Sequence, residues 1–168
     1  PGFEDPTDAI GVMFYCGIGG RLTQYPAWRE LADPGLVAAI DAFAGRTAFD
    51  YARATFERNR LWDVSRRFFE GFDLLLTPTM PLPAFPVGKD LPDDVAGARR
   101  PFLTWTPFTY PFNLTGQPAA TVPCGFTRGG LPVGLQIVGR RFDDATVLRA
   151  AAAFEAARPW AARRPVDA

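Results

Sequence analysis

The chain has 168 residues, 48% of them hydrophobic and including 15 Phe and 4 Trp, which is ample for one folded core and far from a disordered composition. Eighteen basic residues balance eighteen acidic ones, so no basic stripe or acidic tail points to nucleic acid or to a charged membrane surface. No apolar run approaches the roughly 18 residues of a membrane span, and with two Cys and no His the usual zinc sites and a disulfide framework are excluded, so no metal or cofactor is expected and a reducing cytoplasm fits.

Taken in chain order, Ala9 to Cys16 is apolar and partly β-branched or aromatic, which predicts a strand. GIGG at Gly17 to Gly20 lacks the spacing and the Lys-Ser/Thr ending of a phosphate loop and reads as a turn. Asp33 with Pro34 is an N-cap followed by a first-turn proline, and Leu36, Ile40 and Phe43 share one face before Gly45. Thr47 can cap a second helix from Ala48 to about Phe69, with Phe49, Ala52 and Phe56 on one stripe and Leu61, Val64 and Phe68 continuing it. Its polar side interleaves Asp50, Arg53, Glu57, Arg58, Arg60, Asp63, Arg66 and Arg67, and reads as a solvated face with weak ion pairs. Ser65 falls beside Trp62 and Phe69 on this helix, where a serine hydroxyl bonds a carbonyl one turn earlier, near Leu61.

DLLLT, Asp73 to Thr77, is apolar without alternation, as in a strand covered on both faces. Eleven of the seventeen prolines lie between Pro78 and Pro132, so residues 78–107 should be a long irregular excursion, a substrate cover or a disordered segment, most mobile from Gly88 to Arg100. Lys89, inside it, reads as a solvated charge. Trp105, Phe108, Tyr110 and Phe112 then fall within eight residues, interleaved with Thr106, Thr109 and Asn113. An apolar wall with a few polar groups is the chemistry of a small-molecule pocket, although the same aromatics would serve as core filling under the excursion.

Ala119 to Val122 and Val133 to Val138 predict an antiparallel pair joined through Pro123 to Gly130. Cys124, between them, reads as a small buried side chain; as a nucleophile it would need a helix N-terminus or an arginine to activate it. A final helix from Asp144 to Arg158 should turn Val147, Ala151 and Phe154 inward, with residues 159–168 as a fraying tail. Helices packed on a mixed sheet containing DLLLT make an α/β layered domain.

Three segments carry a resemblance: DLLLTPTM at Asp73 to Met80, FTYPFNLTGQPAATVPCGFTRGGLPVGLQIVG at Phe108 to Gly139, and RRFDDATVLRAAAAFE at Arg140 to Glu155. In this order they resemble the C-terminal part of the amidase signature family, serine hydrolases that cleave carboxamides. The resemblance implies the C-terminal part of that α/β fold, and a chemistry that uses two serines, one in a cis peptide, with a lysine base. It also implies that the segment before NLTGQP approaches the substrate cleft, so Trp105, Thr106, Phe108, Thr109 and Phe112 are the expected substrate-binding residues. Asn113 and Gly116 are expected to set the turn. In one branch, the A subunit of glutamyl-tRNA amidotransferase, an aspartate just before this segment grips the glutamine amino group; the matching position here is Thr106. A threonine supplies no charge to offset the desolvation of an ammonium, which favours a neutral or aromatic amide.

The chain holds one serine, Ser65, one lysine, Lys89, and no histidine, so neither two serines with a lysine nor a Ser-His-Asp triad can be assembled. No catalytic residue is therefore expected in it. It starts at Pro1 and opens like the middle of a domain, so residues 1–168 read as a single partial domain, the C-terminal portion of an amidase whose missing N-terminal portion supplies the catalytic centre. A non-catalytic binding or interaction module derived from the same fold is the alternative. The expected partners are a small-molecule amide, the missing portion and, through uncovered strand edges and apolar surface, a second copy of the chain, with no nucleic acid and no membrane.

Overall fold

A computed structural model describes residues 2, 4–89, 92 and 105–163. In chain order its elements are α1 (Thr7–Leu22), α2 (Trp28–Leu31), α3 (Pro34–Phe43), α4 (Ala48–Gly71), β1 (Leu74–Pro78), α5 (Tyr110–Thr115), β2 (Ala119–Phe126), β3 (Pro132–Gly139) and α6 (Asp144–Ala157).

The first element corrects the sequence reading: Ala9 to Cys16 is helix, not strand, and Gly17 to Gly20 continue it rather than turning. An apolar run of this length carries no period that separates a strand from a helix packed on several sides. The helix is packed on several sides, against α3, α4 and α5. Its buried positions Ala9, Val12, Tyr15 and Gly19 recur every three or four residues. Two glycines are needed for closeness: a Cβ on Gly11 would lie 2.5 Å from Phe43 Cζ, and one on Gly19 would lie 2.9 Å from Ile40 Cγ2. The Tyr15 ring stacks at a tilt on Phe43, 5.0 Å between centroids, and burial pushes its phenol up to about 12.

The predicted caps hold. Asp33 accepts from Leu36 N at the start of α3. Thr47 and Asp50 exchange bonds in a full capping box at the start of α4. Along α4, Leu61, Ser65 and Phe69 face inward with Ala54. The expected stripe of Phe49, Ala52 and Phe56 does not: Phe49 is 88% exposed and Phe56 72%.

The sheet has the order β1-β3-β2, with Leu75 opposite Val138 and Ala120 opposite Ile137. The α/β layering holds, and among the described residues both pairings are antiparallel, where a mixed sheet was expected. β2 runs further than expected, through Cys124 to Phe126, because an irregularity between Pro123 and Gly125 absorbs a proline that has no N–H for the ladder. One face packs Val122 and Ile137 against Val147 of α6, with Phe154 and Trp160 closing over them. The other packs Val138 against Phe69 of α4 and Phe112 of α5. Cover on both faces reaches Leu74 and Leu75 of β1, but Leu76 is 57% exposed.

Of the 78–107 excursion, the described residues beyond β1 form neither helix nor strand; most of the Gly88 to Arg100 stretch, where mobility was expected, lies outside the described residues. Of the expected tail, Arg163 N donates to the Trp160 carbonyl at 2.8 Å and the Arg163 guanidinium sits 4.7 Å from the Phe126 ring centre, while residues 164–168 lie outside the described residues.

Candidate functional site

The aromatic segment that read as a loop folds into a tight turn and then α5. Thr109 N and Thr109 Oγ1 both donate to the Thr106 carbonyl, at 3.0 and 3.1 Å. Gly116 ends α5 at φ 73°, the left-handed region glycine tolerates, in keeping with the turn-setting role expected of it. A buried amide fixes the segment to the sheet: Gln136 Nε2 donates to Phe108 O at 2.7 Å and to Thr77 Oγ1 at 2.9 Å. Tyr110 is buried, and its hydroxyl donates to Asp5 Oδ1 at 2.6 Å, with Thr7 Oγ1 3.0 Å away.

These bonds send the five expected substrate residues to different places. Phe112 enters the core against Phe69 and Val138 and is 4% exposed. Phe108 and Thr109 are half-buried, Phe108 joined to the sheet through its carbonyl and Thr109 closing the turn. Trp105 packs edge-on to Phe85, 5.4 Å between centroids, and lines a cavity of about 330 Å³ between Met80–Phe85 and β3, beside Gly134. Gly134 leaves space there for Thr79 Oγ1 and Thr121 Oγ1, which bond each other at 2.6 Å. Thr106 points elsewhere, into a second cavity of about 330 Å³ where α1, α4 and α5 meet.

This second cavity has an apolar wall of Ile10, Met13, Phe14 and Tyr110 and a polar side of Thr106, Asn113 and Arg58. It has the makeup of a small-molecule pocket, concave and mostly apolar with a few placed polar groups. α1 supplies three of the residues that line it, and the strand reading of that segment hid the contribution. Arg58 had been taken with the solvated charges, and Asn113 as a turn residue, whereas it lies exposed on α5 and lines the pocket.

Among the described residues, Ser65, Cys124 and Lys89 line neither cavity. Ser65 is fully buried and its hydroxyl donates to the Leu61 carbonyl at 2.9 Å, as expected from its place in the helix. Cys124 Sγ donates to the Val133 carbonyl at 3.4 Å. Lys89 is exposed in the proline-rich stretch. Among the described residues no group of three or more His, Cys, Asp or Glu could hold a metal, and no helix is long and apolar enough to cross a membrane.

Comparison with known proteins bears on the whole arrangement. Residues 37–148, from α3 into α6, match the sequence profile of the Amidase family. An acylamidase of Rhodococcus erythropolis is 46% identical over 141 residues, 83% of this chain and 29% of that protein. The A subunit of glutamyl-tRNA(Gln) amidotransferase of Myxococcus xanthus is 45% identical over 105 residues, 62% of this chain and 21% of its own length. Among solved structures, a bacterial aryl acylamidase of the amidase signature enzymes superposes with a TM-score of 0.79 at 30% identity, over 96% of this chain and 36% of that one. The 6-aminohexanoate cyclic dimer hydrolase superposes with a TM-score of 0.75 at 25% identity, over 98% and 37%. The chain thus spans about a third or less of the length of each of these relatives.

Proposed function

Since the chain belongs to the amidase signature family, we propose that it is the C-terminal portion of a cytoplasmic amidase that hydrolyses a carboxamide C–N bond. In this reading it forms one wall of the substrate cleft, and a Ser-Ser-Lys centre in sequence outside it performs the chemistry. The observation that carries the reading is the inventory of one serine, one lysine and no histidine, with the serine hydroxyl buried and committed to Leu61. A serine without a base in reach is not a nucleophile. In this reading the chain carries part of the family's fold, and the chemistry lies outside it.

The division of labour follows from that. A covalent step needs an activated hydroxyl and donors aimed at the developing oxyanion. This chain offers instead what positions a substrate: an apolar wall from α1 and α5, a hydroxyl at Thr106, an amide at Asn113 and a guanidinium at Arg58. A neutral threonine where a glutamine-binding relative would need a carboxylate supports an amide without an ammonium group. The likeness to the Rhodococcus acylamidase points the same way.

The encoding reading frame tests the proposal. A Gly/Ser-rich segment with two serines and an earlier lysine ahead of Pro1 is the expected finding, and a frame without them would contradict it. In the complete enzyme Thr106→Trp should alter the preference among aromatic and aliphatic amides, whereas Gly116→Val should lower the melting temperature. Equal loss of fold from both would assign the Thr106 segment to core filling.

A further inference from the structure

Arg58 stands apart from the other arginines of α4. Arg53 pairs with Asp50, Arg60 with Glu57 and Glu4, Arg66 with Asp63 and Glu70, and Arg67 with Asp63. Arg58 donates only to a neutral acceptor, Asn59 Oδ1 at 3.3 Å. The helix itself explains the exception: the residues three and four away are Ala54, Thr55, Leu61 and Trp62, so no carboxylate lies within reach along α4. Asp5 is tied to Tyr110 and Thr7.

The side chain lines two adjoining cavities. One is the Thr106 pocket; the other, also about 330 Å³, continues along α4 to Trp62 and Arg141, and Asn113 borders both. Among the described residues Arg141 has no carboxylate partner either, and it lies over the Phe142 ring, 4.6 Å from its centre. Two guanidinium groups without a carboxylate partner among the described residues therefore line one groove, whose far end is apolar. A guanidinium presents a planar fork of donors that matches a carboxylate and forms charge-assisted bonds with it.

We propose that this groove binds a carboxylate carried on an apolar body. Arg58 grips the acid, Arg141 adds to the local positive field, and Ile10, Met13, Phe14 and Tyr110 cover the body. The inference rests on the amidase reading in one respect: there it assigns the substrate class, an amide that bears an acidic group.

Calorimetric titration of this chain with benzoate and with benzamide, equal in ring and different in charge, tests the groove without catalysis. Benzoate should bind at least about fivefold more tightly than benzamide, since hydrogen bonds to a charged group exceed neutral ones by this order. Arg58→Gln should weaken benzoate about tenfold and leave benzamide unchanged, Arg58→Lys should retain part of the preference, and Arg141→Gln should cost about two- to threefold. Salt sufficient to shorten the Debye length from about 10 Å to about 3 Å should weaken benzoate alone, a readout that needs no variant to fold. Equal binding of the two probes, or benzoate binding indifferent to Arg58 and to salt, would overturn the proposal. In the complete enzyme, 4-acetamidobenzoate should have a lower KM than acetanilide, with Arg58→Gln raising the former more than the latter. Equal KM values would overturn the substrate assignment. Hydrolysis of neither amide would count against the amidase reading, while the benzoate titration still decides the groove.

Discussion

The two sides of the chain bury their apolar residues to different degrees. Under α6, Val122, Ile137 and Val147 are at most 6% exposed, and Phe154 and Trp160 complete the layer. On the helical side Val12 and Tyr15 are as well buried, yet Phe49 and Phe56 project from α4, 88% and 72% exposed, although Leu61 and Phe69 on the same helix are each 5% exposed. The inner face of α4 packs on α1, α5 and the sheet, and the described residues leave the face that carries Phe49 and Phe56 uncovered. The sheet is closed under α6 around Val122, Ile137 and Val147, whereas the Phe49 and Phe56 stripe of α4 stands open, on the side of the helix away from the Thr106 pocket that Arg58 lines.

Core truncation should separate the two sides most strongly. Ile137→Ala should cost about 3 kcal/mol in denaturant unfolding, the usual loss for a buried Ile without room to collapse. Phe56→Ser should change stability by no more than about 0.5 kcal/mol, and together with Phe49→Ser it should lower the self-association of the chain seen by light scattering and its binding of an apolar-surface dye. A large loss of stability from Phe56→Ser would break the comparison, because it would mean that the stripe is already buried in solution.

Glycine substitutions probe how tightly the helical side is closed against itself. Gly11→Ala places a methyl against the Phe43 ring and should cost roughly 1–3 kcal/mol. Gly17→Ala, on the same helix with nothing within 4 Å, should stabilise by about 0.5–1 kcal/mol. Opposite signs in thermal melts would sharpen the contrast between the packed and open faces of α1.

Modest effects belong to the start of α4, next to the exposed phenylalanines. Thr47→Ala should cost about 1 kcal/mol through the lost cap. The Asp50 carboxyl is held down to about 2, first by the Thr47 backbone N–H, then by the Thr47 hydroxyl and by Arg53. Its folded value lies below the ordinary value of about 3.9, so its contribution is complete above that pH and is lost as pH falls toward about 2. Asp50→Asn should flatten this part of the acid transition followed by circular dichroism.

Much of the sheet side was legible in the sequence. Both β2 and β3, the caps Asp33 and Thr47, the Ser65 bond to Leu61 and the inward residues of α6 follow from local rules that the tertiary structure does not oppose. What escaped was what depends on neighbours. The apolar run from Ala9 to Cys16 has no decisive period, and its helix is fixed by α3, α4 and α5 together with the space at Gly11 and Gly19. Periodicity found the Phe49 and Phe56 stripe but could not say which stripe of α4 this chain covers. Trp105 and Thr106, adjacent in sequence, open into different cavities because the turn bonded at the Thr106 carbonyl separates them. Arg58 did leave a signal: of the five arginines of α4 it alone lacks an acid three or four residues away. Charge counted in bulk concealed it, and charge paired residue by residue would have found it.

Under the proposal, this chain carries part of the amidase fold and the catalytic residues lie in sequence outside it. The most direct test is turnover of simple aromatic and aliphatic amides by this chain alone, alongside Ser65→Ala and Cys124→Ala. No hydrolysis above background, with no difference among the three proteins, is the predicted result. Hydrolysis that disappears in either variant would place a nucleophile within these residues and contradict the account.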